Sequence, residues 1–508
     1  MTDVTQQARR RFLKGLGVAG AVAAAPMAMP ALAVSKASDI KWNKTVEIAI
    51  IGSGFAGLAA GIEAMRNGAK QVTIFEKMGV YGGNSAINGG LFAAPNTPMQ
   101  QQEGVEDSPE RMAQDQIKAG RGIADEVLLR HVAKHAMEAL QMTLDAGAQF
   151  HPYLQQLGGH SVARTYQTSV SCGAGITQPL LKLARKEGVE TVNRMKFVRF
   201  VQDDSGKVIG AEMRQNFYID QPDSGTPYFV KASRGVIMAT GGFSNNIKLR
   251  MAQDPTLTAE VGCTNVEGAT GEGMLEMFRL GAVPVHLAHI QSGPWASPDE
   301  GGFGYCSNFA IYNFPHSVAI DCNTGKRFMD EIADRKTRAD AELKCRYPDG
   351  SPRPPLMISS YEHADQHPNN KKVLKYGVGW KFESLKEIAA KFDVPAEALE
   401  QQVAEYNEYV RTGVDKQFGK DMTLSMQKGE IKAPYTVIRL WPKVHYCMGG
   451  VQIDATAKVL DSLTGQPIAG LYAAGEVTGG IHGVSRLGSC SIPECMVMGM
   501  TAARTIMA

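Results

Sequence analysis

Three apolar patterns alternate along this chain. Apolar runs at residues 48–51 and 235–239 predict buried strands of a parallel sheet, and residues 71–75 predict a second strand after the first. Alternating polarity at 196–202, 208–214 and 228–231 predicts an antiparallel β-insertion instead. Between these, residues 58–67 and 178–187 have helical spacing, and Asp107-Ser108-Pro109-Glu110 reads as a helix start with proline in the first turn. Further on, residues 384–413 predict two helices joined at Asp393-Val394-Pro395. Leu399, Val403, Tyr406 and Val410 recur on one face of the second, and Gly413 stops it.

The turn after the first strand carries chemistry. Gly52, Gly54 and Gly57 stand at G-x-G-x-x-G spacing, with Phe55 and Ala56 between the last two. The first glycine permits a tight turn and the second a close approach of main chain to a pyrophosphate. The third lets the following helix pack on the strand with its N-terminus aimed at the phosphates. Glu76 ends the second strand about 20 positions on, where an acidic side chain binds a ribose hydroxyl. Two more glycine clusters follow at once, Gly82-Gly83-Asn84-Ser85 and Gly89-Gly90. Glycine there lets main chain pass close to a flat ligand.

With 508 residues, 44% of them hydrophobic, the chain can bury a large core in two or three domains. A net charge of +2 argues against a nucleic-acid binder. Residues 8–14, Ala-Arg-Arg-Arg-Phe-Leu-Lys, read as a twin-arginine signal. A short apolar run broken by Pro26 and Pro30 follows, then Ala31-Leu32-Ala33 as a cleavage site. That run is too short for a stable membrane anchor, so the expected location is the periplasm, reached through the twin-arginine translocase. The eight cysteines form no C-x-x-C pair and no C-x-x-C-H haem-attachment motif; mostly free buried thiols are expected.

Together the glycine clusters, Ala239-Thr240-Gly241-Gly242 and Gly470-Leu471-Tyr472-Ala473-Ala474-Gly475-Glu476 resemble the fumarate reductase and succinate dehydrogenase flavoprotein family, above all its soluble periplasmic flavocytochrome c branch. The resemblance covers nearly the whole chain after the signal. It implies an α/β fold: an FAD-binding Rossmann-like domain of glutathione-reductase type with an inserted α+β capping domain. The expected boundaries are 1–33 for the signal, 34–285 and 444–508 for the FAD domain, and 286–443 for the cap. FAD, held without a covalent bond, is expected against Gly52, Gly54, Phe55, Ala56, Gly57, Glu76 and Lys77, then Gly83, Asn84, Ser85, Gly89 and Gly90. Thr240, Gly241, Gly242, Glu272, Gly475, Glu476, Ser491 and Ile492 complete that set. No metal is expected.

Reduction of an activated C=C bond needs a hydride, a proton donor and cations that hold a carboxylate. His445-Tyr446-Cys447-Met448-Gly449-Gly450 resembles the family's H-x-x-M-G-G, and residues 482–488 resemble the segment with its carboxylate-binding arginine. The resemblance thus gives the anion clamp to His445 and Arg486. Gly325-Lys326-Arg327-Phe328 and the following Asp330-Glu331-Ile332-Ala333-Asp334-Arg335 match the segment whose arginine is the acid, with Arg338 as its rival. Two departures stand out. Gly293 occupies the place of a second carboxylate-binding histidine, and Phe309, Ala310 and Asn313 replace a threonine and two proton-relay groups. One carboxylate clamp therefore stays, and Trp295, Phe309 and Tyr312 are expected to line the vacated end. The expected activity is reduction of an α,β-unsaturated monocarboxylate: an aryl acrylate such as cinnamate or urocanate first, a branched small acrylate second. A separate multihaem c-type cytochrome is the expected electron donor. A plain fumarate reductase and a ketosteroid-dehydrogenase-like enzyme are the alternatives.

Overall fold

The computed structural model describes residues 40–508. The twin-arginine segment expected at 1–33 lies outside the described residues. Strand β1 (Lys44–Ile51) runs into helix α1 (Phe55–Arg66), which returns the chain to β2 (Val72–Phe75). Ile48, Ile50 and Ile74 are wholly buried, as continuous apolar strands between covering layers must be. The three strands β3 (Glu190–Val192), β4 (Met195–Gln202) and β5 (Val208–Gln215) follow, and then the long β6 (Thr226–Met238). One eight-stranded sheet holds them all. Its main path runs Lys458–Leu460, Pro467–Ala473, β6, β1, β2, β3, with β4 and β5 attached antiparallel beside β6.

The two patterns at 228–231 and 235–239 predicted separate strands, but β6 is continuous. Its first half pairs antiparallel with β5, and its last residues, Val236–Met238, pair parallel with Leu471–Ala473. A register irregularity against β1 between Ala232 and Gly235 separates the halves. The alternating pattern therefore ends where the strand passes from a half-exposed ribbon into the covered sheet.

A second sheet, wholly antiparallel, runs Lys326–Arg327, Ser317–Asp321, Leu356–Ser360, Tyr435–Arg439, Trp380–Phe382. Helices Leu385–Phe392 and Ala396–Thr412 cover it, and Leu399, Val403, Tyr406 and Val410 are buried in its core. Asp393 and Gly413, both at positive φ, end those two helices. The chain enters this second unit through Ile290–Gly293 and leaves it through Lys443–Cys447, and these two segments pair antiparallel. Inside it, the fully buried Glu331 is ion-paired with Arg327 at 2.8 Å and Lys420 at 3.1 Å, which fixes the turn before helix α2 (Arg335–Glu342). Helix α3 (Ser491–Met507) then packs on α1 so closely that a Cβ on Gly499 would lie 2.3 Å from the Ala56 carbonyl oxygen. All eight cysteines are free. Among the described residues, no helix is long and apolar enough to cross a membrane.

Candidate active site

The β1–α1 turn is built by glycine for steric reasons. Gly52 has φ +109°, and a Cβ there would lie 2.2 Å from the Ala239 carbonyl oxygen. A Cβ on Gly57 would lie 2.0 Å from the Gly52 carbonyl oxygen. Only glycine lets α1 start this close to the strand. The turn opens onto a cavity. Gly52, Gly54, Phe55 and Ala56 line it from the turn, Glu76 and Lys77 from the end of β2, and Gly83, Asn84 and Ser85 from the next segment. Thr240, Gly241, Glu272, Gly475 and Glu476 complete the wall. Gly57, Gly89, Gly90, Gly242 and Ile492 lie outside that lining. Gly90 packs against Thr168 and Cys172, and Gly242 against Glu476.

The cavity's polar groups fit a dinucleotide. The Glu76 carboxylate accepts from the Ser53 amide at 3.1 Å, the Ser53 hydroxyl at 2.5 Å and the Met78 amide at 2.8 Å, which leaves acceptor capacity for one ribose hydroxyl. The Thr240 hydroxyl lines the wall, buried and without a partner. A buried unpaired hydroxyl costs free energy unless a ligand satisfies it. Lys77 is held at 2.8 Å by Glu272, so that its charge is already balanced before a pyrophosphate arrives.

A second cavity, about 490 Å³, continues from the first past Phe55, Asn84, Ser85, Glu476 and Cys495, and Ser491 lines it too. Its far wall holds His445, Tyr446 and Arg486. A third, about 1350 Å³, is open to solvent and shares Arg486 with the second; Arg335, Arg338 and Trp295 line it. The first and second cavities thus share a wall, and Arg486 stands between the second and the third.

At the junction, residues from both units meet. Asp334 caps α2 by accepting from the amides of Lys336 and Thr337, which sets Arg335 at the first helical position. Arg335 Nη1 donates to Gln291 Oε1 at 3.1 Å. Gln291 Nε2 in turn donates to Ser485 Oγ at 3.1 Å and to the Arg486 carbonyl at 3.0 Å. The Arg486 guanidinium is 4.5 Å from the centroid of the Tyr446 ring, and its Nε is buried without a partner. His445 Nδ1 is 2.7 Å from Thr264 Oγ1, which fixes the ring orientation. Sequence reasoning missed Gln291, Thr264 and Tyr446 as positioning groups. Thr264 and His445 are 181 positions apart, and nothing in the chain marks them as neighbours.

The charges here are unbalanced by design of the fold. Asp330, Glu331 and Asp334 are engaged with a backbone amide, with Arg327 and Lys420, and with the helix cap respectively. Among the described residues, no carboxylate pairs with Arg335. Burial, then the neighbouring Arg486 and Arg338, hold the Arg335 guanidinium well below the ordinary arginine range. The same causes, burial followed by Arg486 and Arg335, hold His445 well below its usual value. A depressed pKa turns a poor acid into a usable one. Arg338 instead donates to the Glu331 carbonyl at 3.0 Å and lies over the Phe314 ring.

The substrate end differs from expectation. Gly293 opens no room: a Cβ there would lie 2.5 Å from Cη2 of Trp295, whose indole fills the space. Phe309 is wholly buried in the core of the second unit, and the Tyr312 ring packs on His367 at 4.7 Å. Neither lines the three cavities. A missing side chain reads as space in a sequence, but the neighbouring indole takes it.

The family described as FAD binding domain matches residues 47–492. The chain belongs to that FAD-binding family. This flavoprotein is 72% identical over 500 residues to the acrylate reductase flavoprotein subunit of Shewanella woodyi, a match covering 98% of each chain. It is 33% identical to the urocanate reductase of Eggerthella lenta, over 90% of this chain and 74% of that one. Among solved structures, the open conformation of a flavocytochrome c3 fumarate reductase aligns with a TM-score of 0.75 at 29% identity, over 92% of this chain and 78% of that one. The flavoprotein is thus an FAD-binding oxidoreductase with the fold of the flavocytochrome fumarate reductases.

Proposed function

We propose that this flavoprotein reduces the C=C bond of a short α,β-unsaturated monocarboxylate of the acrylate class. The observation that carries the reading is the Arg335–Gln291–Arg486 bridge, whose Arg486 lines the second cavity together with His445. The identity to an acrylate reductase flavoprotein subunit supports it. Arg486 and His445 hold the carboxylate, and Arg486 offsets the negative charge that grows on it as the bond is reduced. FAD, when bound, would supply the hydride. Arg335 gives its proton to the α carbon, which completes the saturated acid, and recovers a proton from the solvent-open cavity. A dicarboxylate such as fumarate needs a second anion site, and among the residues lining the second cavity only His445 and Arg486 are basic.

The same reading makes the protein one partner of a two-protein system. A separate c-type cytochrome delivers electrons, and the twin-arginine signal takes the folded, FAD-loaded protein to the periplasm. The direct test is an anaerobic assay of the purified protein with dithionite-reduced viologen and a panel of enoates. The kcat/KM for acrylate or methacrylate is expected to exceed that for fumarate by at least about 10²-fold, some 2.7 kcal/mol. Equal activity on fumarate sinks the monocarboxylate reading. Turnover with NADH at the viologen rate would remove the need for a cytochrome.

A further inference from the structure

We infer that Trp295 is the residue that limits the length of the substrate. The inference rests on the reductase reading for its substrate class, and deepens it. Three contacts place the indole at the reacting centre. Its ring centroid is 4.8 Å from that of His445, edge to face at 86°. The Arg335 guanidinium lies 5.9 Å from its centroid. Phe303 packs against it at 4.9 Å and lies 6.0 Å from the His445 ring, so that the three rings form one cluster. Trp295 is therefore bracketed by one group of the carboxylate clamp and by the proton donor, and it lines the solvent-open cavity beside them.

The ring cannot easily move away. It is 2% exposed and belongs to a packed core that includes Cys306, Phe309 and Phe314. Gly293 completes the arrangement, because any side chain there would meet Cη2, Cζ2 or Cζ3 at 2.5 to 2.7 Å. Glycine at 293 and tryptophan at 295 thus act as one unit: the first makes room, and the second occupies it. With the carboxylate held by Arg486 and His445 and the α carbon against Arg335, a group on the β carbon meets the indole. An unsubstituted or α-branched acrylate fits; a β-methyl or β-aryl enoate overlaps the ring.

The test compares wild type with Trp295→Ala on acrylate, crotonate and cinnamate in the viologen assay. The ratio of kcat/KM for crotonate to that for acrylate is expected to rise at least about 10-fold, the usual size of a one-methylene discrimination. A parallel measurement uses the visible spectrum of bound FAD to titrate propionate, butyrate and 3-phenylpropionate, and here too the longer acids should gain in the variant. Should Trp295→Ala lose FAD, Trp295→Phe carries the same comparison. Gly293→Ala should weaken acrylate turnover, and Trp295→Ala in the same chain should restore part of it. Ratios unchanged within about twofold in both assays overturn the inference. If no enoate is turned over by any form but the binding ratios shift, the size limit stands and the reductase reading fails.

Discussion

Arg335 touches Gln291 at 3.1 Å and, among the described residues, has no carboxylate partner. An arginine buried against two other guanidinium groups is disposed to give up a proton. Arg335→Ala and Arg335→Lys are therefore expected to lower turnover by about 10² to 10⁴ while FAD stays bound. Flavin absorbance and viologen oxidation measure the two. Retained activity in Arg335→Ala, with loss in Arg338→Ala, would move the acid to Arg338.

Gln291→Glu sets a carboxylate where the amide now accepts from Arg335. An adjacent negative charge raises the pKa of a guanidinium. Because the acid must be protonated, kcat in the wild type falls as pH rises through the depressed Arg335 pKa. In the variant that alkaline limb should move to higher pH, and the plateau should drop because the acid is weaker. A kcat profile from neutral to strongly alkaline pH decides it; a limb that moves to lower pH would show that Arg335 is not the titrating group.

Gly57→Ala forces a Cβ to within 2.0 Å of the Gly52 carbonyl oxygen. The turn must open, and α1 must leave its place against β1. The purified variant is expected to hold less than about a tenth of the wild-type FAD per chain, because displaced backbone donors no longer converge on the pyrophosphate. Stoichiometric flavin in a folded variant would contradict the assignment of this turn to the phosphates.

Glu494 tests the buried electrostatics behind the clamp. Burial pushes its carboxyl up to about 7, and one of its oxygens has no partner. A raised carboxyl pKa means that the folded state keeps the proton after the unfolded chain has lost it. Its contribution is full below about pH 4.5, declines by about 1.4 kcal/mol per pH unit up to pH 7, and is flat above. Glu494→Gln cannot ionise. Its Tm relative to wild type should therefore rise between pH 4.5 and 7 and level off beyond. A difference independent of pH would mean that Glu494 is ionised in the folded protein.

The elements most legible in the sequence were those set by backbone geometry. The glycines of the first turn and the cap at Asp393 follow from local sterics, which the chain states directly. The four apolar positions from Leu399 to Val410 follow from helical period. The fate of Gly293 could not be read, because it depends on where the Trp295 ring goes two residues later. Tyr312 shows the same limit: its place in sequence suggests an aromatic beside the site, while its ring turns toward His367. Gln291 was visible as a residue, but its part in joining Arg335 to Arg486 requires a contact across 195 positions.

The ladder between Ile290–Gly293 and Lys443–Cys447 carries both strands by which the chain crosses into the second unit. Gln291 and His445 ride on that ladder, whereas Arg335 projects from beyond it on α2. Helix α2 nevertheless packs on that ladder, and Arg335 meets Gln291 there. The crossing strands therefore serve as a common ruler: the same backbone that sets His445 for the carboxylate also sets the distance from which the acid reaches it.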